Sequence, residues 1–386
     1  MIPRVAPDGF PAAILLAFLG TAGLFYVNIM AAIVTGLSDG LGIAPSQAGL
    51  IASMNVYGAA AGAFTAVFLV RRVPWRPVAV AALLILIAID LASIRLTTVP
   101  ALVTVRFLHG MTGGLLVGVS YAVFARTASP DRVFGMLLVV QVGLGGFGLW
   151  LLPPLVPRFG IGVLFGSLAA FSTVALAMLT LLPAYPPGEG RGPPVHAAAV
   201  GRLLARALVG IFLFQAGNMA LAAFIIDVGR SAGLSQALIG PTLAISNWLG
   251  AAGSFAVALL GARYGRAGPI LGAIAITVIA TAAFARSDLP PLFIGANIAT
   301  AILWAFGISY LLGLAAAFDK SGQAAALGGL ASKLGLASGP LAAGLLLDHF
   351  AYPWLVLASV LLLAASGLAV ARPARALDQP APAPVS

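Results

Sequence analysis

Five ionisable side chains stand inside long uncharged stretches of this sequence: Asp90, Arg106, His109, Asp227 and Lys333. A charge in an apolar medium costs several kcal/mol unless it is paired or faces a watery cavity, so each residue is a candidate for function. Lys333, in Leu330-Ala-Ser-Lys-Leu-Gly-Leu336, has no acidic residue within a helical turn. It reads first as a cationic anchor for an anionic group. Pairing with a distant carboxylate and a proton-coupling role are the other readings. Arg106 is equally suited to substrate contact and to a structural or coupling role. His109, one turn further along, is of the type that titrates near neutral pH, although a packed neutral imidazole serves as well. Asp90 and Asp227 lie nearer the ends of their stretches.

Uncharged polar residues collect near the middle of the same stretches. The first half contributes Tyr26, Asn28, Asn55, Tyr57, Tyr121 and Gln141, and the second Gln215, Asn218, Asn247, Trp248, Trp304 and Tyr310. These types donate and accept hydrogen bonds without carrying charge, which suits a polar solute site or a contact between helices. No phosphate-cradling Gly-x-x-x-x-Gly-Lys-Ser/Thr, Ser/His/Asp set or His-Glu constellation is present, so neither ATP-driven pumping nor catalysis is indicated. The three histidines are scattered without metal-ligand spacing, and with no cysteine there is neither a disulfide nor a thiolate site. No cofactor or metal is expected.

The elements that position these residues are apolar helices. Of 386 residues 61% are hydrophobic and 8% charged, far below the charged quarter of a soluble domain. About 20 apolar residues cross the hydrocarbon, and the pattern predicts twelve spans near 11–37, 45–70, 77–96, 99–126, 132–156, 160–182, 202–228, 235–261, 268–285, 289–317, 322–347 and 351–371. The first is not a cleavable signal peptide, since no cleavage-site pattern follows it. The net charge of +10 is a topology signal rather than a nucleic-acid footprint: fourteen Lys and Arg fall on the side of the termini and four on the other. The positive-inside rule places both ends in the cytoplasm. Residues 183–200, rich in proline, form the longest break and divide the chain six plus six. The expected organisation is a six-helix bundle over 1–182, a cytoplasmic linker over 183–200, a second bundle over 201–371 and a disordered tail over 372–386.

The halves also repeat. Gly118-Val-Ser-Tyr121 recurs as Gly307-Ile-Ser-Tyr310 and Ser46-Gln-Ala48 as Ser235-Gln-Ala237, both 189 residues apart; Ala61-Gly-Ala-Phe64 recurs as Ala252-Gly-Ser-Phe255 at 191. Three matches in chain order at nearly one offset mark an internal duplication.

Two loop motifs follow that duplication. Gly253, Gly261, Arg263, Gly265 and Arg266 close span 8, and Gly62, Arg71, Arg72 and Arg76 form a first copy after span 2, without an acid before its basic pair. Span 4 carries Arg106 followed by Gly110, Gly114 and Gly118, whose spacing of four puts them on one face for close helix approach. Span 5 holds Gly143, Gly145, Gly146, Gly148 and Pro153-Pro154, and span 11 holds Gly339-Pro340 between Gly335 and Gly344. In these features the chain resembles the major facilitator superfamily from about residue 10 to 371. The resemblance implies an all-α membrane fold of twelve transmembrane helices in two pseudo-symmetric six-helix bundles. Spans 1, 2, 4, 5, 7, 8, 10 and 11 would then line a central cavity holding Lys333, Arg106 and the polar residues above. His109, Arg71, Arg72, Arg263 and Arg266 would serve coupling or gating.

The expected function is that of a secondary transporter, not an enzyme. It would carry a small carboxylate-like organic anion by alternating access, driven by proton symport or anion exchange. Proton-coupled efflux of drug-like or amphipathic metabolites is the alternative. The expected setting is a monomer in a bacterial inner membrane, with membrane lipid, protons or a counter-anion and the solute as partners.

Overall fold

The computed structural model describes residues 4–69, 73–124, 126–128, 130–185, 201–260, 265–318 and 323–378. Among these the regular structure is helical, and nine helical segments are long and apolar enough to cross a membrane. Pro45–Leu69 and Gln236–Leu260, of 25 residues each, add spans 2 and 8. Span 1 completes the twelve in three pieces, Phe10–Ala22, Phe25–Asn28 and Met30–Leu41. The first break falls at Gly23, where an added Cβ would lie 3.0 Å from the Gly113 carbonyl carbon of span 4. Span 5 runs Pro130–Leu151 and then breaks into a short turn at Pro153–Leu155 before Val156–Phe159. Proline has no N–H to donate and its ring crowds the preceding turn, so Pro153-Pro154 cannot continue a regular helix.

The glycine face of span 4 (Val99–Phe124) packs on span 2 at backbone distance. A Cβ on Gly110 would lie 2.7 Å from the Asn55 carbonyl carbon, and one on Gly114 2.7 Å from that of Ala59. The second half repeats the seam between spans 8 and 10 (Pro290–Ala316): a Cβ on Gly253 would lie 2.9 Å from the Ile302 carbonyl carbon.

Three apolar cores result, and their membership describes the shape. One lies wholly in the first half around Leu16, Leu83, Val123 and Leu179; another lies wholly in the second around Ile211, Ile274, Leu314 and Leu363. Both occupy the end of the bundle that carries the termini. The third joins the halves at the opposite end, with Ile33, Ile51 and Leu164 packed in one cluster with Ile226, Phe293 and Ala343. Among the described residues the bundles are therefore fused at the far end and separate at the terminal end, closed on one side and open on the other.

At the open end the chain fastens itself to the first half. Val5 N donates to Leu181 O at 3.0 Å, and Arg126 Nη1 to Tyr185 O at 3.2 Å. Arg76 donates to the carbonyls of Leu182 and Pro183. The Tyr185 hydroxyl donates to Pro7 O at 2.7 Å; burial, reinforced by the charge of Asp8, pushes it up to about 12, so it keeps its donor proton at neutral pH.

Residues 372–378, where a disordered tail is expected from the composition, are helical, and 379–386 lie outside the described residues. Span 12 runs Tyr352–Asp378 and carries Pro373 inside the helix. Its end is fixed because both Asp378 carboxylate oxygens accept from Arg266 N, at 2.8 and 3.0 Å, and one also accepts from Ala267 N at 2.8 Å. These are the orphan donors that open span 9 (Ala267–Ala283), so Asp378 caps a helix from a distance. Loss of such a cap costs about 1 kcal/mol. Asp378→Ala is expected to lower the thermal midpoint of the purified protein by a few degrees, and an unchanged midpoint would remove this role.

Candidate functional site

The polar residues of the two halves meet at mid-span. On span 5, Gln141 Nε2 donates to Asn28 Oδ1 of span 1 at 3.0 Å, while Asn28 Nδ2 donates to Gln141 O at 3.3 Å. From the other half, Asn247 Nδ2 of span 8 donates to Val142 O at 2.7 Å and Trp248 Nε1 to Gly143 O at 3.1 Å. The glycines of span 5 make room for these side chains. A Cβ on Gly146 would lie 2.9 Å from Trp248 Cε2, and one on Gly145 would lie 3.1 Å from Asn247 Nδ2. Tyr57 of span 2 meets Ser338 of span 11 at 2.7 Å between their hydroxyls, again across the halves.

Within the second half, Gln215 of span 7 (Arg202–Ala223, continued by Ile225–Ser231) is a buried hub. Its Oε1 accepts from Trp304 Nε1 at 2.7 Å and its Nε2 donates to Ser332 Oγ at 2.7 Å. Ser332 precedes Lys333 on span 11 (Gln323–Leu347). Leu330, Leu334 and Ser338 recur every four residues on one face of that helix. Because Ser338 touches span 2, this face looks toward the first half. Below the Tyr57–Ser338 contact, where the halves separate, Leu330 and Leu334 are exposed, 44% and 36%. Lys333 lies beside them and is half-buried. Among the described residues it has neither an ion-pair nor a hydrogen-bond partner.

Arg106 lies elsewhere, which corrects its assignment to the cavity. It is fully buried inside the first half, with Nη1 2.9 Å from Asp90 Oδ1 and Nη2 donating to Ser93 Oγ. Its guanidinium stacks over the Phe165 ring at 4.8 Å and faces Tyr26 at 5.8 Å. The other Asp90 oxygen sits 3.2 Å from His109 Nε2, and His109 Nδ1 is 2.8 Å from Asn55 Nδ2, which also donates to Arg106 O at 3.3 Å. An amide donor at Nδ1 fits the neutral imidazole with its proton on Nε2, directed at Asp90. Asn55, Arg106 and His109 thus form a buried network around Asp90, with the Tyr26 ring packed against Arg106 and His109; the Tyr26 hydroxyl and Arg106 Nε have no hydrogen-bond partner among the described residues, and Arg106 has no free surface for a solute.

Tyr121 is 38% exposed and leans on Phe124 and Phe134, with ring centroids 5.7 and 5.1 Å away. Tyr310 belongs to the second-half core beside Phe306, and Asn218 Nδ2 bonds to Phe214 O of its own helix at 2.8 Å. Arg71, Arg72 and Arg263 lie outside the described residues, and Arg266 engages Asp378 through its backbone N–H.

Sequence reasoning missed the closed end. Arg230 Nη1 of span 7 is 2.5 Å from Asp39 Oδ2 of span 1, Thr35 Oγ1 donates to Asp227 Oδ2 at 3.0 Å, and Ser46 N of span 2 donates to Asp348 Oδ1 after span 11 at 3.0 Å. All three contacts join the two halves. Their sequence signal was present, since acids and an arginine cluster where spans 1, 7 and 11 end on one side. A groove of about 470 Å³ between spans 8 and 10, lined by Leu238, Pro241, Ile245 and Ile298, contains no ionisable group and is separate from the central face.

The fold is similar to solved transporters at low identity. A variant of the nucleoside transporter NupG superposes with TM-score 0.76 and 13% identity, over 95% of this chain and 99% of that one. A bacterial homologue of the human lysosomal transporter Spinster, in an inward-facing and unoccupied conformation, gives 0.70 and 13%, over 98% and 100%. A D-xylose-proton symporter gives 0.69 and 13%, over 95% and 97%. No curated protein sequence matches the chain. The sequence pattern of the Major Facilitator Superfamily, however, matches residues 13–318. With twelve apolar helices in two bundles fused at one end and parted at the other, the chain belongs to that superfamily and is a multi-pass membrane transporter.

Proposed function

We propose that this transporter carries a small organic anion of the carboxylate class by alternating access, with proton symport or anion exchange completing the cycle. The observation that supports this reading is Lys333: a half-buried ammonium at mid-span, next to the exposed Leu334, with no ion-pair or hydrogen-bond partner among the described residues. A cation held among apolar side chains concentrates negative solutes and is satisfied by one. Gln215, Ser332 and Trp304 supply a neighbouring set of uncharged donors and acceptors. With Arg106 neutralised by Asp90, the anion reading rests on Lys333 alone. We further propose that the protein acts as a monomer in a bacterial inner membrane, with both termini cytoplasmic and the bundles joined through 183–200. The excess of Lys and Arg on the terminal side supports that orientation.

The experiment is uptake of labelled carboxylates into proteoliposomes. Hydrogen bonds to a charged group are worth about 1.5–3 kcal/mol, so Lys333→Ala is expected to lower kcat/KM for the anion by about ten- to a hundredfold. Lys333→Arg should retain part of it. Unchanged anion uptake by Lys333→Ala would overturn the anchor.

A second reading is a neutral hydroxylated or heterocyclic solute. It is favoured by the amide, hydroxyl and indole groups of Gln215, Ser332 and Trp304, and by the nucleoside and xylose carriers among the similar folds. Uptake of a nucleoside or pentose that is insensitive to Lys333→Ala would select it.

A further inference from the structure

We infer that the outer face of spans 7 and 12, at the end that carries the termini, is the docking site of an anionic phospholipid. Four arginines come together there: Arg202 and Arg206 open span 7, and Arg372 and Arg375 close span 12. The two helices pack antiparallel, with Ser366 Oγ donating to Gly210 O at 2.8 Å and an added Cβ on Gly210 pressing on the Val370 side chain. Arg206 lies four residues before Gly210, and Arg372 and Arg375 lie two and five residues after Val370. At a rise of about 1.5 Å per residue these three fall within about 5 Å of one depth, and Arg202 stands one turn further out. All four side chains are exposed, and among the described residues none has an ion-pair or hydrogen-bond partner. The one acid in 202–223 or 352–378 is Asp378, and its oxygens accept from the backbone N–H groups of Arg266 and Ala267. Four guanidinium groups against one carboxylate leave three positive charges in excess.

The same faces turn apolar as they enter the membrane. Arg202, Arg206 and Val209 recur at helical spacing on span 7, and Leu361, Leu368 and Arg372 do so on span 12. Val209 is 52% and Leu368 80% exposed, whereas the second-half core takes Ala207, Ile211 and Phe214 from span 7 and Leu363, Val370 and Ala374 from span 12. Exposed valine and leucine at this depth meet acyl chains, and the guanidinium groups at the edge of the hydrocarbon meet headgroups. A ligand that satisfies both carries a phosphate and a long acyl chain in one molecule. A zwitterionic headgroup would bring its own ammonium against the arginines; an anionic one brings only the charge they attract. At the same end of the first half Arg76 and Arg126 direct their donors to the carbonyls of Leu182, Pro183 and Tyr185, so protein engages them instead. Neither the transported solute nor the compartment at the terminal end enters into this assignment.

The test is native mass spectrometry of the purified full chain in detergent, titrated with phosphatidylglycerol. One arginine near a membrane surface is worth about fivefold in affinity for anionic lipid. Arg372→Gln is therefore expected to weaken the first bound phosphatidylglycerol about fivefold, and the triple variant Arg202→Gln, Arg206→Gln, Arg372→Gln about a hundredfold. Lysine at the same three positions keeps the charge and should bind within about threefold of the parent. Arg132→Gln removes an equal charge from an exposed position on span 5 and should change the affinity by less than about twofold, because a distant surface charge is screened. Phosphatidylcholine should bind at least about tenfold more weakly than phosphatidylglycerol, and glycerol phosphate at the same concentration should not displace the lipid. Arg372→Gln alone, at an exposed position, carries the test if the triple variant does not purify. Parent-like affinity in the glutamine variants, an equal loss in Arg132→Gln, equal binding of phosphatidylcholine, or displacement by glycerol phosphate would each overturn the proposal.

Discussion

Asp90→Ala is expected to cost about 3–5 kcal/mol of folding stability, because it leaves Arg106 charged and fully buried without its counter-ion. The loss should appear as a marked fall in the temperature at which the purified protein leaves its monodisperse size-exclusion peak. The double variant Asp90→Leu with Arg106→Met removes both charges and should recover most of the loss, since a buried pair is often replaceable by apolar residues of similar volume. A double variant that costs far less than the sum of the two single variants is the signature of the pair. If the single variant were as stable as the parent, Arg106 would have an alternative partner and would not depend on Asp90. The variant pair also separates roles, because a structural network predicts lost protein rather than altered affinity in the surviving fraction.

The second large effect is steric. Gly110→Val is expected to cost about 3 kcal/mol, the upper end of the overpacking range, since even a Cβ at that position would lie 2.7 Å from the Asn55 carbonyl carbon and 3.0 Å from Ala59 N. Backbone cannot rotate away as a side-chain tip can. The control is Gly272→Ala in span 9, where nothing lies within 4 Å of the new atom. There the helix should gain about 0.5–1 kcal/mol, because alanine is the better helix former. Equal effects at the two positions would mean that the span 2 to span 4 seam is looser than its geometry implies.

Much of this architecture was legible in the sequence. Hydrophobic length located the helices, and the four-residue spacing of Gly110, Gly114 and Gly118 marked the face on which another backbone approaches. What it did not disclose was which helix approaches, and that decides the fate of charges. Arg106 looked available because no acid is near it in sequence. Asp90 lies 16 residues earlier, on the preceding antiparallel span, and the turn between them brings the two to the same depth. Pairing across a hairpin is readable in principle: two opposite charges placed symmetrically about a turn should be tested against each other before either is assigned to a solute. The cross-bundle contacts were harder to foresee. Asp227 and Thr35 are separated by 192 residues, so only the relative placement of the halves joins them. The glycines of span 5 name no partner in the sequence, and the indole of Trp248 supplies one for Gly146. Its identity depends on the opposite bundle, which no local pattern encodes.

The single apolar core at the closed end also sets the electrical profile of the molecule. Ile33, Ile51, Ile226 and Phe293 are buried in it, whereas Leu330 and Leu334 stand exposed on the open side. Membrane voltage falls across whatever excludes ions, so in this conformation most of it drops across that apolar plug. Lys333, one helical turn from the plug residue Ala337, stays near the potential of the open side. On the proposal that the carrier alternates and that Lys333 anchors an anion, the plug would move to the opposite end and the same ammonium would come to the other potential, having crossed most of the field. One elementary charge crossing 100 mV exchanges about 2.3 kcal/mol. On that proposal the empty carrier with a charged Lys333 would be driven by voltage through its return step, whereas one whose ammonium is neutralised by a bound anion would make the same step almost without electrical work.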